Sequence, residues 1–473
     1  MKFFKNKYKY MVVAFTFLAA SCSNYLDIND DPNNPTEAPI AGLMVNSTFE
    51  SAQNTFRLGD VTSNYVQYLA SPNAASASDV MDPVSYSGTW SSMYNVMTDL
   101  NDLITKAESS GANHYKGAAQ ILMALNLGMT VDAWGSVPFS EGLDFQTITP
   151  SYDDDAELYQ KILSLLDEGV ANLSQATEFS IGDDDFIYGG DADQWMKFGN
   201  MLKARYLNHY SETDMYDPAA VLAALDNGFE SNNDDAQVEY FEEEYNPWAN
   251  VAINNADLVL GGWISEQFIQ GMDGTTYGVV DPRLPYMVSA TGKENDGPYV
   301  GTENGAGRGD APEQYARSVL ETGDYYSSTT SPILIATYFE QKFIEAEAAF
   351  TIDKSRSYQA YLDGIRAHMT KIGVNAAAIE DYINSPQVSV GEDALTLQDI
   401  FREKWKAMFL NPEAWVDARR FNYNYKDFDL PANLNPDLNG QFIQRLVYPD
   451  SEVSRNGSNV PDVTLLDGPF WDQ

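Results

Sequence analysis

Three histidines, one cysteine and 69 acidic residues carry most of the reactive chemistry of this 473-residue chain. His114, His209 and His368 each stand alone on a separate stretch of helical pattern, with no second histidine at metal-ligand spacing. Structural or surface roles are therefore expected of them. Glycoside hydrolysis needs only two carboxyls held about 5–9 Å apart across a cleft. Acids in this number supply many such pairs, so a hydrolase stays open as an alternative. Asp27-x-Asn29-x-Asp31 opens like a calcium-binding loop, but Pro32 stands where that loop needs glycine and Ala38 where it needs glutamate. Gly301–Gly309 follows no strand and opens no helix, so it reads as a flexible loop and not as a phosphate cradle. No metal and no cofactor is expected.

The cysteine is the most informative single residue. Cys22 directly follows Phe17-Leu18-Ala19-Ala20-Ser21, behind a basic head (Lys2, Lys5, Lys7, Lys9) and an apolar run from Met11 to Ala20. That order is a secretory signal, residues 1–21, with small residues at the cut. The run is about half of the roughly 20 residues that a spanning helix needs. A cysteine at the cut resembles a bacterial lipobox, with Leu18 one place further back than usual. The resemblance implies that Cys22 becomes an acylated N-terminus. Several acyl chains together anchor firmly where one holds weakly.

Removing the signal takes away four lysines and no acid, so the mature chain is more acidic than the formal −41 of the whole. A pI near 4.1 excludes nucleic acid, which demands Lys/Arg stripes, and disfavours anionic ligands. A single cysteine allows no internal disulfide, so an exported chain must be held together by its core. Length alone allows two or three domains.

Residues 22–39 are polar and rich in Pro and Asn, a tether docking onto the body. Helical apolar spacing marks Ile40–Arg57, then a stripe through Met93, Val96, Met97, Leu100, Leu103 and Ile104 that ends at Ser109-Ser110-Gly111. Further helices are predicted around Ala118–Met129, Ala156–Val170, Asp191–Tyr210 and Pro218–Leu225. From about 229 to 330 the periodicity fades into a long irregular insert with one helix near Ile264–Gln270. Aromatics in that insert argue for function over disorder. Helices return with Ile335, Tyr338, Phe339 and Phe343 on one stripe, followed by Ser357–Lys371, Ala376–Asn384, Leu397–Leu410 and Pro412–Arg420. Residues 431–473 read as a loop-like tail. The expected fold class is all-α: tetratricopeptide-like helical hairpins at about 91–228 and 331–420 flanking the insert.

Several stretches resemble one family in order along the chain. They are Leu26-Asp27-Ile28-Asn29-Asp30-Asp31-Pro32-Asn33-Asn34-Pro35-Thr36, Trp134-Gly135-Ser136-Val137-Pro138-Phe139, Ile187-Tyr188-Gly189-Gly190-Asp191, Asp281-Pro282-Arg283-Leu284, Glu403-Lys404-Trp405 with Glu413 to Arg420, and Arg445-Leu446-Val447-Tyr448-Pro449. Together they are similar to the SusD/RagB-like nutrient-binding outer-membrane lipoproteins. The resemblance implies a single helical body over residues 40–473 that captures oligo- or polysaccharide, or in some members peptide, without hydrolysis. It implies a lid-like partnership with a SusC-like TonB-dependent transporter, and a lipid-anchored position on the outer membrane, facing the exterior. Trp405, Trp415, Arg419 and Arg420 are most simply read as packing and ion pairs.

For a neutral sugar the useful groups are flat aromatic faces and bidentate polar side chains. In the first loop region the candidates are Tyr65, Tyr68, Trp90 and Asn64, with Arg57, Asp60 and Tyr86 nearby. In the insert they are Tyr245, Asn246, Trp248, Trp263, Tyr299 and Tyr325. Trp248 is the preferred platform, because Glu242-Glu243-Glu244 and Asn246-Pro247 before it make deep burial unexpected.

Overall fold

The computed structural model describes residues 38–258, 261–309 and 314–472. The signal, Cys22 and nearly all of the tether lie outside these residues.

Helix starts and stops follow local chemistry. The first series is α1 (Ile40–Thr62), α2 (Ser87–Ser110), α3 (Asn113–Trp134), α4 (Asp155–Leu173), α5 (Ala192–Asn208) and α6 (Pro218–Leu225). α2 stops where Gly111 takes φ 72°, which glycine adopts without a Cβ clash. α4, α5 and α6 each begin behind an aspartate, Asp154, Asp191 and Asp217, whose carboxylate accepts the first free backbone N–H groups. α3 is the central rod. Every residue from Gly117 to Trp134 is buried, as befits a helix apolar on all sides. α4 lies close against it: a Cβ added at Gly117 would meet the Gly169 carbonyl at 2.7 Å.

The segment expected to be irregular is more ordered than its composition suggests. It contains α7 (Pro247–Leu258), α8 (Glu266–Met272) and α9 (Leu284–Met287). β1 (Leu69–Ala70) pairs antiparallel with β3 (Trp263–Ile264), and β2 (Ala236–Val238) with β4 (Ile333–Ala336). Ile335 therefore sits in a strand and not on the following helical stripe, because Thr337 caps that helix by accepting from Glu340 N. Gly301–Gly309 is not a flexible loop either. Gly305 N donates to Asp79 Oδ2 at 2.6 Å, and Ala75 N to the Gly305 carbonyl at 2.9 Å. At Gly305, with φ 78°, an added Cβ would run into the Ala432 carbonyl.

The second helical series is α10 (Tyr338–Ala349), α11 (Lys354–Lys371), α12 (Ala376–Ile383), α13 (Leu397–Ala407) and α14 (Glu413–Arg420), and the tail adds α15 (Asp450–Asn456). One contiguous apolar core runs from Leu43 to Trp471. The chain is thus mainly helical, as its periodicity predicts.

Many of the charged residues inside this core are paired. Arg283 reaches Asp281 at 2.6 Å and Glu403 at 2.5 Å, with Lys406 on both acids and all four side chains fully buried. Lys404 pairs with Asp417, and Arg420 with Glu347 and Asp417. The Arg419 guanidinium lies 3.8 Å over the Trp415 ring. Buried charges persist only when paired in this way. The recurring motifs around Arg283, Glu403 and Arg420 are therefore fold determinants. His209 is held between Glu413 (2.6 Å) and the Tyr159 hydroxyl (2.8 Å), and His368 bonds the Tyr326 hydroxyl at 2.9 Å. Burial, with the nearby Arg283 charge, keeps His368 neutral by pushing its pKa well down. His114 bonds the Gln175 carbonyl at 3.0 Å. All three histidines take structural positions.

Candidate functional site

An open cleft of about 350 Å3 lies where the end of α1 meets the insert, within the size range of ligand sites. α1 supplies Asp60 and Val61, and Asn64 follows in the next turn. β1 and the loop after it supply Leu69, Ala70, Ser71, Pro72, Ser76 and Ser78. Tyr86, just before α2, forms one side. Val251 and Asn254, three residues apart and so on one face of α7, form the other.

These walls are fixed from behind. Trp263 Nε1 donates to Asn255 Oδ1 at 2.7 Å, tying the β1–β3 pair to α7. The Tyr65 hydroxyl lies 3.3 Å from that of Tyr86. Asn304 Nδ2 donates to Asp79 Oδ1 at 2.6 Å and to the Leu69 carbonyl at 2.9 Å, which holds the serine loop against the insert. Burial pushes the Asp79 carboxyl up to about 6.

The lining is polar, and several of its groups are free. Asp60, Asn64, Asn254, Ser76 and Ser78 make no side-chain hydrogen bond or ion pair among the described residues. Asp60 stays accessible to solvent although protein crowds it, and that crowding pushes its carboxyl up to about 6. Tyr86 is raised too, first by burial, with Asp60 adding to it. Among the described residues no Lys, Arg or His lines the cleft, and Asp60 is the one acid that does. Among the described residues no group of His, Cys, Asp and Glu could hold a metal ion.

Of the expected sugar-binding residues, the cleft takes Asn64, with its neighbours Asp60 and Tyr86. The preferred platform is corrected. Trp248 is only 3 % exposed and meets the Phe56 ring edge-on with centroids 4.8 Å apart. Asn246 is buried as the residue before α7, with Oδ1 accepting from Trp248 N and Nδ2 donating to the Ser331 carbonyl. Trp90 packs against Trp134 and Tyr94. Tyr68 packs against Trp405 and Phe409, and its hydroxyl donates to the Trp405 carbonyl. Trp263 and Tyr65 are buried and serve the cleft from behind. Rings enclosed in this way offer no face to a sugar. Tyr245 is 37 % exposed, and Tyr299 and Tyr325 are half-buried, all three outside the cleft lining. Asn254 went unread because α7 did. The Asn246-Pro247 pair, a cap followed by proline at the first helical turn, was the available signal.

The body is mainly helical and carries an open polar cleft. Residues 32–449 match the SusD-like family described as "Starch-binding associating with outer membrane", and the chain belongs to that family. Among solved structures it is similar to a SusD/RagB family protein from Bacteroides thetaiotaomicron, at 20% identity and TM-score 0.74, covering 92% of this chain and 99% of that one. It is likewise similar to a protein titled chitin-binding, at 21% identity and TM-score 0.75, covering 92% and 100%. A chitin-binding SusD homolog from Flavobacterium johnsoniae matches at 20% identity and TM-score 0.73, covering 92% and 98%. No curated protein matches. The family is associated with the outer membrane, and among the described residues no helix is long and apolar enough to cross a membrane.

Proposed function

We propose that the protein is a non-catalytic glycan-binding lipoprotein. It is anchored through acylated Cys22 and faces the cell exterior. It captures oligo- or polysaccharide in the cleft beside α1 and delivers it to a SusC-like TonB-dependent transporter. The observation that carries this reading is the set of unpartnered polar groups, Asp60, Asn64 and Asn254, facing one cleft in a chain of this family. Hydroxyls of a sugar fill such vacant donor and acceptor positions, and Val61, Leu69 and Val251 offer apolar surface to its C–H faces. Among the described residues the lining carries one carboxyl where glycoside hydrolysis needs two, which favours binding over cleavage.

The test is a glycan-array screen of the purified protein, followed by titration of the best ligand against Asn64→Ala and Asn254→Ala. Each variant is expected to bind about five- to thirtyfold more weakly, with no new reducing ends appearing during incubation. Retained affinity in both variants, or steady release of sugar by the pure protein, argues against the assignment. Pull-down from mildly solubilised outer membrane is expected to recover a large β-barrel partner.

A further inference from the structure

Asp60 places a carboxylate in the cleft, and among the described residues no basic side chain lines the space to neutralise it. Arg57, one turn earlier on α1, is engaged by Glu50 at 2.8 Å, Asn54 at 2.9 Å and Ser92 at 2.6 Å. Among the described residues the one other titratable lining group is Tyr86, a neutral hydroxyl already close to that of Tyr65. Asp60 remains accessible to water. A ligand that displaces this water must supply donors in its place, because a carboxylate that loses water without gaining a donor carries a large desolvation cost. A second anion brought there is repelled, and a cation is attracted, more strongly than in open solvent.

Resting on the glycan-capture reading, we infer that the cleft sorts glycans by charge. Sugars that present an ammonium group or a hydroxyl to Asp60 are taken, with the ammonium preferred, and sugars bearing carboxylate or sulfate are rejected. The acidity of the whole chain acts in the same direction at longer range, and Asp60 makes the discrimination local.

The experiment is calorimetric titration of the intact protein at pH 6.5 and low salt with charge-matched sets. One set is an N-acetylglucosamine hexamer and its de-N-acetylated amine form. The other is dextran, with its sulfate ester and its carboxymethyl ether. An array of neutral glycans serves as the reference for glycan capture itself. The amine form is expected to bind about three- to tenfold tighter than its neutral parent, and the anionic forms at least about tenfold weaker than theirs. Asp60→Asn keeps the shape of the side chain and is expected to bring each set within about twofold. Asn64→Asp is expected to widen the preference for the amine. Rising salt should shrink every difference except those between neutral ligands. Anionic forms that bind as well as their parents, or an unchanged ranking in both variants, overturn the inference and leave glycan capture standing. No binding to any glycan on the array, charged or neutral, overturns both.

Discussion

Asn304 Nδ2 and Asp79 Oδ1 meet at 2.6 Å across 225 residues of sequence. Through this bond the glycine-rich segment of the insert grips the serine loop that lines the cleft. Asn304 also bonds the Leu69 carbonyl and accepts from the Ser265 hydroxyl. Asn304→Ala leaves these partners buried and unsatisfied. It should lower stability by about 2–4 kcal/mol and loosen the loop. Differential scanning calorimetry should show the lowered Tm, and sugar titration a weaker affinity in the folded protein. A variant that melts like the parent contradicts this role.

Trp248 should behave as a core residue. Trp248→Ala removes the ring that fills the space beside Phe56 and below Gly59, at an expected cost of about 3–5 kcal/mol. Below its melting transition the variant should retain its sugar affinity. A stable variant with weakened binding would restore Trp248 as a ligand platform.

Folding stability should peak near pH 4. Burial pushes Asp79 and Asp235 up to about 6 and Asp324 up to about 7. These folded values exceed the unfolded ~3.9, so their penalty is absent below about pH 4, grows as pH rises from there, and is complete once pH has passed 6 to 7. Burial alone would also raise Glu403, but Lys406, Arg283 and Arg402 outweigh it and hold it at about 2. Burial acts on Glu413 in the same way and is outweighed by His209, Arg205 and Lys404, again leaving about 2. Their contribution is present above pH ~4.3 and is lost as pH falls through 2. Tm should therefore decline from pH 4 toward 7 and level off above it, and decline also toward pH 2, at constant ionic strength. A monotonic rise to pH 8 would rule this out.

Binding should report Asp60 separately. With its carboxyl at about 6, affinity for a neutral, hydroxyl-bearing sugar should be flat above pH 7 and fall below pH 6, by up to about tenfold per pH unit. Tyr86, shifted upward, stays neutral throughout this range. Asp60→Asn should abolish the pH dependence, and titrations at pH 5, 6 and 7.5 decide it.

Cys22→Ser should release the protein from the membrane fraction. Mass spectrometry of the native N-terminal peptide should find an acylated cysteine at residue 22. An unmodified Cys22, or cleavage elsewhere, contradicts the anchor.

The helices were legible in the sequence because their determinants are local. The stripe from Met93 to Ile104, the caps at Asp154, Asp191 and Asp217, and the stop at Gly111 are all settled within a turn or two of chain. Part of the cleft was legible for the same reason: Asp60, Asn64 and Tyr86 lie within one short stretch. What only the tertiary structure decided is which rings are buried. The acids before Trp248 correctly indicate an exposed loop, yet Asn246 and Pro247 start a helix that carries the indole onto Phe56 of α1. Burial depends on partners hundreds of residues away, as do the pairing of Arg283 with Glu403 and the grip of Asn304 on Asp79. A local pattern can show that a side chain is apolar or charged. Only the packing of distant elements determines whether it meets water, a partner or a ligand.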